Sequence, residues 1–224
     1  MDGILVVDKP QGVTSHDVVD IVRRRLNTRK VGHAGTLDPM ATGVLVILIG
    51  KYTKSSDAMM SGEKEYDAGL TLGGRSDTGD AWGRIALSAK EMSLGPEDIE
   101  KVFAAFTGEI EQFPPMYSAV KINGKKLYEL ARKGVAVETK PRKVTIRALD
   151  ITGIALPTVS FTVTCSKGTY IRQLCVDIGE ALGCGAYMSR LNRTRSGPFT
   201  ADKAVTLDEV RNMGDKELYS RILK

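Results

Sequence analysis

Apolar residues fall along the chain in two distinct periods. Ile4–Val7 form a short unbroken apolar run ahead of Pro10, which predicts a buried strand. In SHDVVDIVRRRLN the period changes: Val18, Val22 and Leu26 fall on one face with Val19 beside them, and Arg23, Arg24 and Arg25 occupy the other. That spacing predicts a helix, with Ser15 as its expected N-cap. VLVILIG (44–50) predicts a second buried strand, KSSDAMMSG (54–62) a short helix and EYDAGLTLGG (65–74) a strand. GPEDIEKVFAAFTG predicts a helix that starts near Pro96, carries acids in its first turn, lines Ile99, Phe103 and Phe106 on one face and closes at Gly108.

Further on, YSAVKING (117–124) predicts a strand and KKLYELARKG (125–134) a helix. KVTIRALDI and TVSFTVTC predict an antiparallel pair. In the second, Val159, Phe161, Val163 and Cys165 alternate with polar residues, as in a strand with one covered face. A helix over 169–185 and a basic strand over 187–197 follow. In the last helix Thr206 and Glu209 have capping-box spacing. Interspersed strands and helices with antiparallel pairing predict an α+β fold: one large mixed, mainly antiparallel sheet flanked by helices, in a single domain over residues 1–224.

Composition narrows the class. At 42% hydrophobic and 26% charged residues, the chain is that of a globular protein. The N-terminus lacks the basic region of a signal peptide, and no apolar run approaches the ~20 residues of a membrane span. A cytoplasmic protein is expected, with no membrane partner and nothing that requires more than a monomer. Cys165, Cys175 and Cys184 form no CxxC pair and no zinc spacing, so reduced buried thiols are expected. A net charge of +5 fits an anionic partner, and basic residues gather at 23–30, 140–147 and 190–195.

Three local patterns resemble known sites and do not match them. Gly43 and Gly50-Lys51 have the wrong glycine spacing for a P-loop, and Tyr52 stands where Ser or Thr is needed. DTGDAWG (77–83) lacks the periodic ligands of a calcium loop and reads as turn chemistry. His16 and His33 are far along the chain from the cysteines, so no metal is expected.

The stretch VGHAGTLDPMATG sets His33, Asp38 and several glycines directly before the second apolar run. An isolated Asp-Pro is a turn former. Here the glycines let the backbone approach a ligand closely, and a loop set on a rigid strand is where catalytic groups gather.

GHAGTLDPMATGVLVILIGKYTK resembles the catalytic motif of the TruB family of tRNA pseudouridine synthases, relatives of dyskerin. LVVDKPQGVTSHDVV, KEYDAGLTLGGRSDTGDAWG, FPPMYSAVKINGKKLYELARKG and CSKGTYIRQLCVDIGEALGCGAYMSRLNRT resemble its other motifs in the same order. The resemblance implies a pseudouridine-synthase-type fold and isomerisation of uridine 55 in the T-loop of tRNA, without cofactor or metal. It implies that Asp38 is the essential aspartate, acting as nucleophile or as base, that Arg172 pairs with it, and that Tyr66 is the active-site tyrosine. His33 would enter the T-loop, Tyr170 and Leu191 would line the substrate pocket, and Lys9, counted with the substrate-binding residues and not the catalytic ones, would with Pro10 mainly support the active-site loop.

Family members usually carry a further C-terminal RNA-binding domain of PUA type, and none is evident before Lys224. Trp82 also departs from the small or polar residue expected there, as a surface aromatic for RNA or a packing residue. The rival classes are a catalytically silent RNA-binding module or tRNA-folding chaperone, and a hydrolase using Asp38 and His33.

Overall fold

A computed structural model of the chain describes every residue except 56–58, 89–93, 119, 123, 132 and 136, and the side chain of Lys121. The chain forms two compact units, Met1–Asp67 with Leu191–Lys224, and Ala68–Arg190. The strands that matter below are β1 (Gly3–Lys9), β2 (Val31–Ala34), β3 (Thr42–Ile49), β4 (Lys64–Leu72), β5 (Gly74–Ser76), β6 (Ile85–Leu87), β7 (Gly108–Gln112), β8 (Lys121–Ile122), β9 (Lys125–Lys126), β10 (Arg142–Ala155), β11 (Thr158–Cys165), β12 (Ala186–Ser196), β13 (Phe199–Thr200) and β14 (Val205–Thr206). Ten of them share one hydrogen-bonded sheet in the order β14-β1-β3-β12-β4-β11-β10-β7, with β2 on β3 and β13 on β12. The sheet is mixed and mainly antiparallel: β1 and β14, and β12 and β3, run parallel, while β1 and β3, β2 and β3, β7 and β10, and β10 and β11 run antiparallel.

The first unit is built around β3. Every residue from Gly43 to Ile49 is buried, which is why this strand reads as a continuous apolar run with no alternation. β1 pairs with it from Gly3 opposite Ile49 to Lys9 opposite Gly43. One core cluster gathers Ile4, Val6, Ala34, Val44, Val46, Leu48 and Phe199. Fully burying each large aliphatic contributes roughly 1.5–3 kcal/mol. Helix α1 (Ser15–Arg25) buries Val18, Val19 and Val22, as its period predicts. Its N-cap, however, is Thr14 and not Ser15. Thr14 Oγ1 accepts from Asp17 N at 3.1 Å, and the Asp17 carboxylate accepts from Thr14 N at 2.8 Å. The Thr14 hydroxyl, which donates to the Asp17 carboxylate at 2.7 Å, and after it the Thr14 N–H hold that carboxyl below its usual pKa. Ser15 is thereby released for another task.

In the second unit β10 pairs with β11 from Ile146 to Ala155, with two register shifts, and with β7 on its other side. Helix α2 (Pro96–Ala105) buries Ile99 and Phe103, and the Phe103 ring meets Phe161 edge-on at 5.4 Å. Gly108 does not merely close this helix. It opens β7, which the sequence pattern does not reveal because Glu109, Ile110 and Glu111 alternate on an edge strand with little apolar content. Helix α3 (Leu127–Ala131) is shorter than predicted, and among the described residues YSAVKING supplies β8, which forms a small ribbon with β9. The helix predicted over 54–62 falls partly on residues 56–58, outside the described residues; a 3-10 turn runs from Gly50 to Ser55. Helix α4 (Ile171–Ala181) and the Thr206–Glu209 capping box, which starts α5 (Leu207–Asn212), stand as predicted.

Candidate active site

The loop between β2 and β3 carries Asp38, and buried groups of the first unit fix it at several points. Ser15, 2% exposed, holds the residue before Asp38 by both main-chain groups. Its Oγ accepts from Leu37 N at 2.8 Å and donates to Leu37 O at 2.9 Å. On the far side of Asp38, Pro39 O accepts from Gly12 N at 2.9 Å. Ala41 N donates to Asp38 O at 3.0 Å, closing the Asp-Pro turn. From β12, the Arg193 guanidinium donates to Val44 O at 2.7 Å and to Gly35 O at 3.0 Å, with the residue 1% exposed. Each neutral bond contributes about 1 kcal/mol net, and leaving one of these buried carbonyls unpaired costs more. Together they hold the loop's main chain at Gly35, Leu37, Pro39 and Val44.

The glycines of this loop serve that packing. Gly43 has φ of +97°, and a Cβ there would meet Arg193 O at 2.3 Å and Asn192 Oδ1 at 2.5 Å. Gly35 has φ of +89° and lies against the Arg193 guanidinium. The expectation that Gly43 exists for close approach of a ligand is corrected: β12 occupies the space there, while at Gly35 the positive φ is what calls for glycine. Gly32 alone is open, with only Thr53 Cγ2 near.

Lys9 is fully buried. Its ammonium donates to Pro10 O at 2.9 Å and Val13 O at 2.8 Å, with Pro39 O at 3.5 Å. Burial lowers its pKa to about 8, the Asp38 charge opposing that shift and Arg193 adding to it. With no surface to offer, Lys9 is placed as a support of the Asp38 loop and not as a substrate contact. His33, on β2, is half-buried, and burial, Arg193 and His16 all lower its pKa, which favours the neutral ring. Leu191 is 8% exposed at the point where β12 meets β3, and its carbonyl faces Thr42 Oγ1 at 3.5 Å. Tyr66 is 8% exposed on β4.

The second unit carries Tyr170 and Arg172 at the start of α4. Tyr170 is the N-cap residue. Gln112, itself buried, clamps its main chain: Tyr170 N donates to Gln112 Oε1 at 3.1 Å, and Gln112 Nε2 donates to Tyr170 O at 3.3 Å. Arg172 is 5% exposed, so it is no surface helix arginine. Its guanidinium donates to Thr78 O at 2.9 Å and Tyr117 O at 2.8 Å and lies 3.8 Å from the Asp80 carboxylate. Gly79, at φ of +76°, leaves no room for a Cβ beyond 3.0 Å from Arg172 Cγ. The acidic segment 77–83 is thus a set of turns: Asp80 accepts from Thr78 Oγ1 at 2.8 Å and Trp82 N at 3.0 Å, and Asp77 accepts from Arg84 N at 2.8 Å. Trp82 is 54% exposed, a surface aromatic. Among the described residues no group of His, Cys, Asp and Glu is placed to hold a metal.

Sequence reasoning missed Ser15, Arg193, Asp80 and Gln112. Arg193 carried a signal: it lies two residues beyond Leu191 on a strand, so it shares the inward face. The other three show none, because their roles depend on partners distant in the chain.

The fold is that of an enzyme class, the pseudouridine synthases. A chain in a Cbf5-Nop10-Gar1 complex superposes with a TM-score of 0.75 at 33% identity, over 98% of this chain and 58% of that one. One in an archaeal box H/ACA sRNP Nop10-Cbf5 complex superposes at 0.71 with 31% identity. Residues 23–171 match the model of the TruB family pseudouridylate synthase N-terminal domain, and residues 172–224 match that of the tRNA pseudouridylate synthase B C-terminal domain. The tRNA pseudouridine synthase B of Alkaliphilus oremlandii is 53% identical over 97% of this chain and 72% of its own length, and that of Clostridium kluyveri 52% over 93% and 72%. The chain belongs to the TruB family of pseudouridylate synthases.

Proposed function

We propose that the chain isomerises uridine 55 in the T-loop of tRNA to pseudouridine, as a cytoplasmic monomer without cofactor. The observation that carries this reading is the set of buried groups fixing the main chain on both sides of Asp38, one residue before it and one after. A binding module needs no carboxylate so held against a polyanion. The names of the relatives supply tRNA as the substrate.

The target base has to leave its stack to be reached. Asp38, ionised, attacks the sugar or base as a nucleophile or removes a sugar proton, and the N1–C1′ bond breaks. The uracil turns, C5 bonds to C1′ as Asp38 leaves or gives the sugar proton back, N1 takes up a proton, and the C5 proton is lost. Arg172 orients and neutralises the Asp38 charge. Tyr66 stacks on the uracil and receives the C5 proton. Tyr170 and Leu191 line the pocket, and His33 fills the space that the flipped base leaves in the T-loop.

The test is release of tritium from C5-labelled unmodified tRNA, or from an isolated T-arm stem-loop. Asp38→Asn should lower release by roughly three orders of magnitude or more, with RNA binding kept. Normal turnover by the Asn variant would remove Asp38 from its role. Tight binding with no release by the natural chain would favour the silent module.

A further inference from the structure

The three basic clusters are not equivalent. In the 190–195 cluster, Arg193 is spent inside the loop support and Arg195 pairs with Glu65 at 3.3 Å. In the 140–147 cluster, Lys143 pairs with Glu109 at 2.8 Å and β7 sets Glu109 and Glu111 alongside, leaving Lys140 and Arg142 exposed without an acidic partner among the described residues. The 23–30 cluster differs. Arg23 and Arg25 are occupied by Asp20 and Asp215, but Arg24, Arg29 and Lys30 are exposed and have no acidic partner among the described residues. The chain leaving β3 adds Lys51, which lies near Asp2, and Lys54, which is exposed.

These residues border two shallow depressions open to solvent. The two, of about 440 and 450 Å³, meet at Thr28. Arg24 and Arg29 line one; Lys30, Lys51 and Lys54 line the other. Both lie at the Val31 end of β2, where Ile49 is opposite, and the Asp38 loop leaves from the Ala34 end. Along β3, Thr42 to Ile49 at ~3.3 Å per residue puts about 23 Å between the two ends.

We propose that these twin depressions are a docking surface for the phosphodiester backbone of the RNA substrate, several nucleotides from the reacting uridine. The inference rests on the chain's acting on RNA. Unpaired guanidinium and ammonium groups around a concave surface attract phosphates, and the counterions released make the affinity salt-dependent. The Thr28 hydroxyl adds a neutral donor at the junction.

The test is titration of unmodified tRNA transcript against the full chain carrying Asp38→Asn, so that turnover does not intervene, from about 50 to about 200 mM salt. Adding Arg24→Gln, Arg29→Gln and Lys54→Gln together should lower the slope of log affinity against log salt by about two to three and raise Kd about tenfold or more at 0.1 M salt. Arg24→Lys with Arg29→Lys should keep the slope, which separates charge from folding. Lys140→Gln with Arg142→Gln should change it by less than about one. An unchanged slope in the triple variant would overturn the proposal, as would an equal loss from the 140–142 pair. Tritium release by the natural chain is read in parallel. No release with the expected loss of slope would sink the isomerase reading and leave the docking surface standing. Normal release with no loss of slope would do the reverse.

Discussion

The two ends of β2 solve different problems with the same four-residue strand. Beyond Ala34, the loop to β3 has its main chain held by Ser15, Gly12, Lys9 and Arg193, the three side chains among them all buried. Before Val31, the turn at 27–30 is held by main-chain bonds from Thr28 and Val31 and by Arg23, with Asn27 at φ of +45°, and its other long side chains point at solvent. Chemistry on a base needs a carboxylate placed to a fraction of an ångström, since an error of about 1 Å costs roughly 100-fold in rate. A phosphate contact needs charge within reach and tolerates motion. One end is fixed by buried side chains, and the other leaves its long side chains exposed.

The widest gap between the ends should appear on removing Arg193. Arg193→Met leaves Gly35 O and Val44 O unpaired in the interior, at about 1–3 kcal/mol each. Arg24→Met touches nothing buried and should stay within about 0.5 kcal/mol. We expect Arg193→Met to lower the unfolding midpoint in denaturant clearly and to cut kcat by about 100-fold at temperatures where it remains folded. Arg193→Lys, which lacks the planar fork, should fall between. If the two Met variants behaved alike in both measurements, the contrast between the ends of β2 would be lost.

Ser15→Ala sharpens the same contrast by a smaller step. It removes one hydroxyl that both gives and takes a bond at Leu37, next to Asp38 and out of reach of any ligand. We expect kcat to fall by about tenfold with KM for tRNA nearly unchanged, and a stability loss of about 1–3 kcal/mol. A stability loss with an unaltered kcat would reduce Ser15 to a core residue. A raised KM with unaltered kcat would put it in binding.

How much of this is legible in the sequence differs between the strands and the loops. β1, β3, β11 and β12 follow from apolar runs or alternation, because their burial is decided by side chains whose period is visible. β2 and β7 do not, being short and carrying His33 and Gly32, or Glu109 and Glu111; their partners make them strands. The N-cap of α1 lies one residue before the expected Ser15. Thr14 and Ser15 are both good caps, and only the fold shows that Ser15 is wanted by Leu37. Asp38 is legible as a candidate from its context. The guanidinium of Arg193 sits in a cluster that looks like an RNA-facing surface, and only its two-residue spacing from Leu191 marks it as turned inward.

Lys9 offers the smallest effect and the one with a pH signature. Its folded pKa of about 8 lies below the ordinary 10.5, because burial disfavours the ammonium more than Asp38 favours it. Between those values the unfolded chain holds a proton that the folded chain has released. Stability therefore rises with pH across that window, and below about pH 8 the folded state carries the cost of a buried charge. Lys9→Met has no such proton. A proton held by only one of the two states changes stability by about 1.4 kcal/mol for each tenfold change in proton concentration. We expect the stability of the natural chain, measured against Lys9→Met by denaturant unfolding, to gain about 2 kcal/mol between about pH 8 and pH 10. Parallel curves would mean that the amine is solvated and that the carbonyls of Pro10, Val13 and Pro39 do not enclose it. That outcome would blur the comparison at its root, since an open Lys9 could not stiffen the loop that the opposite end of β2 does without.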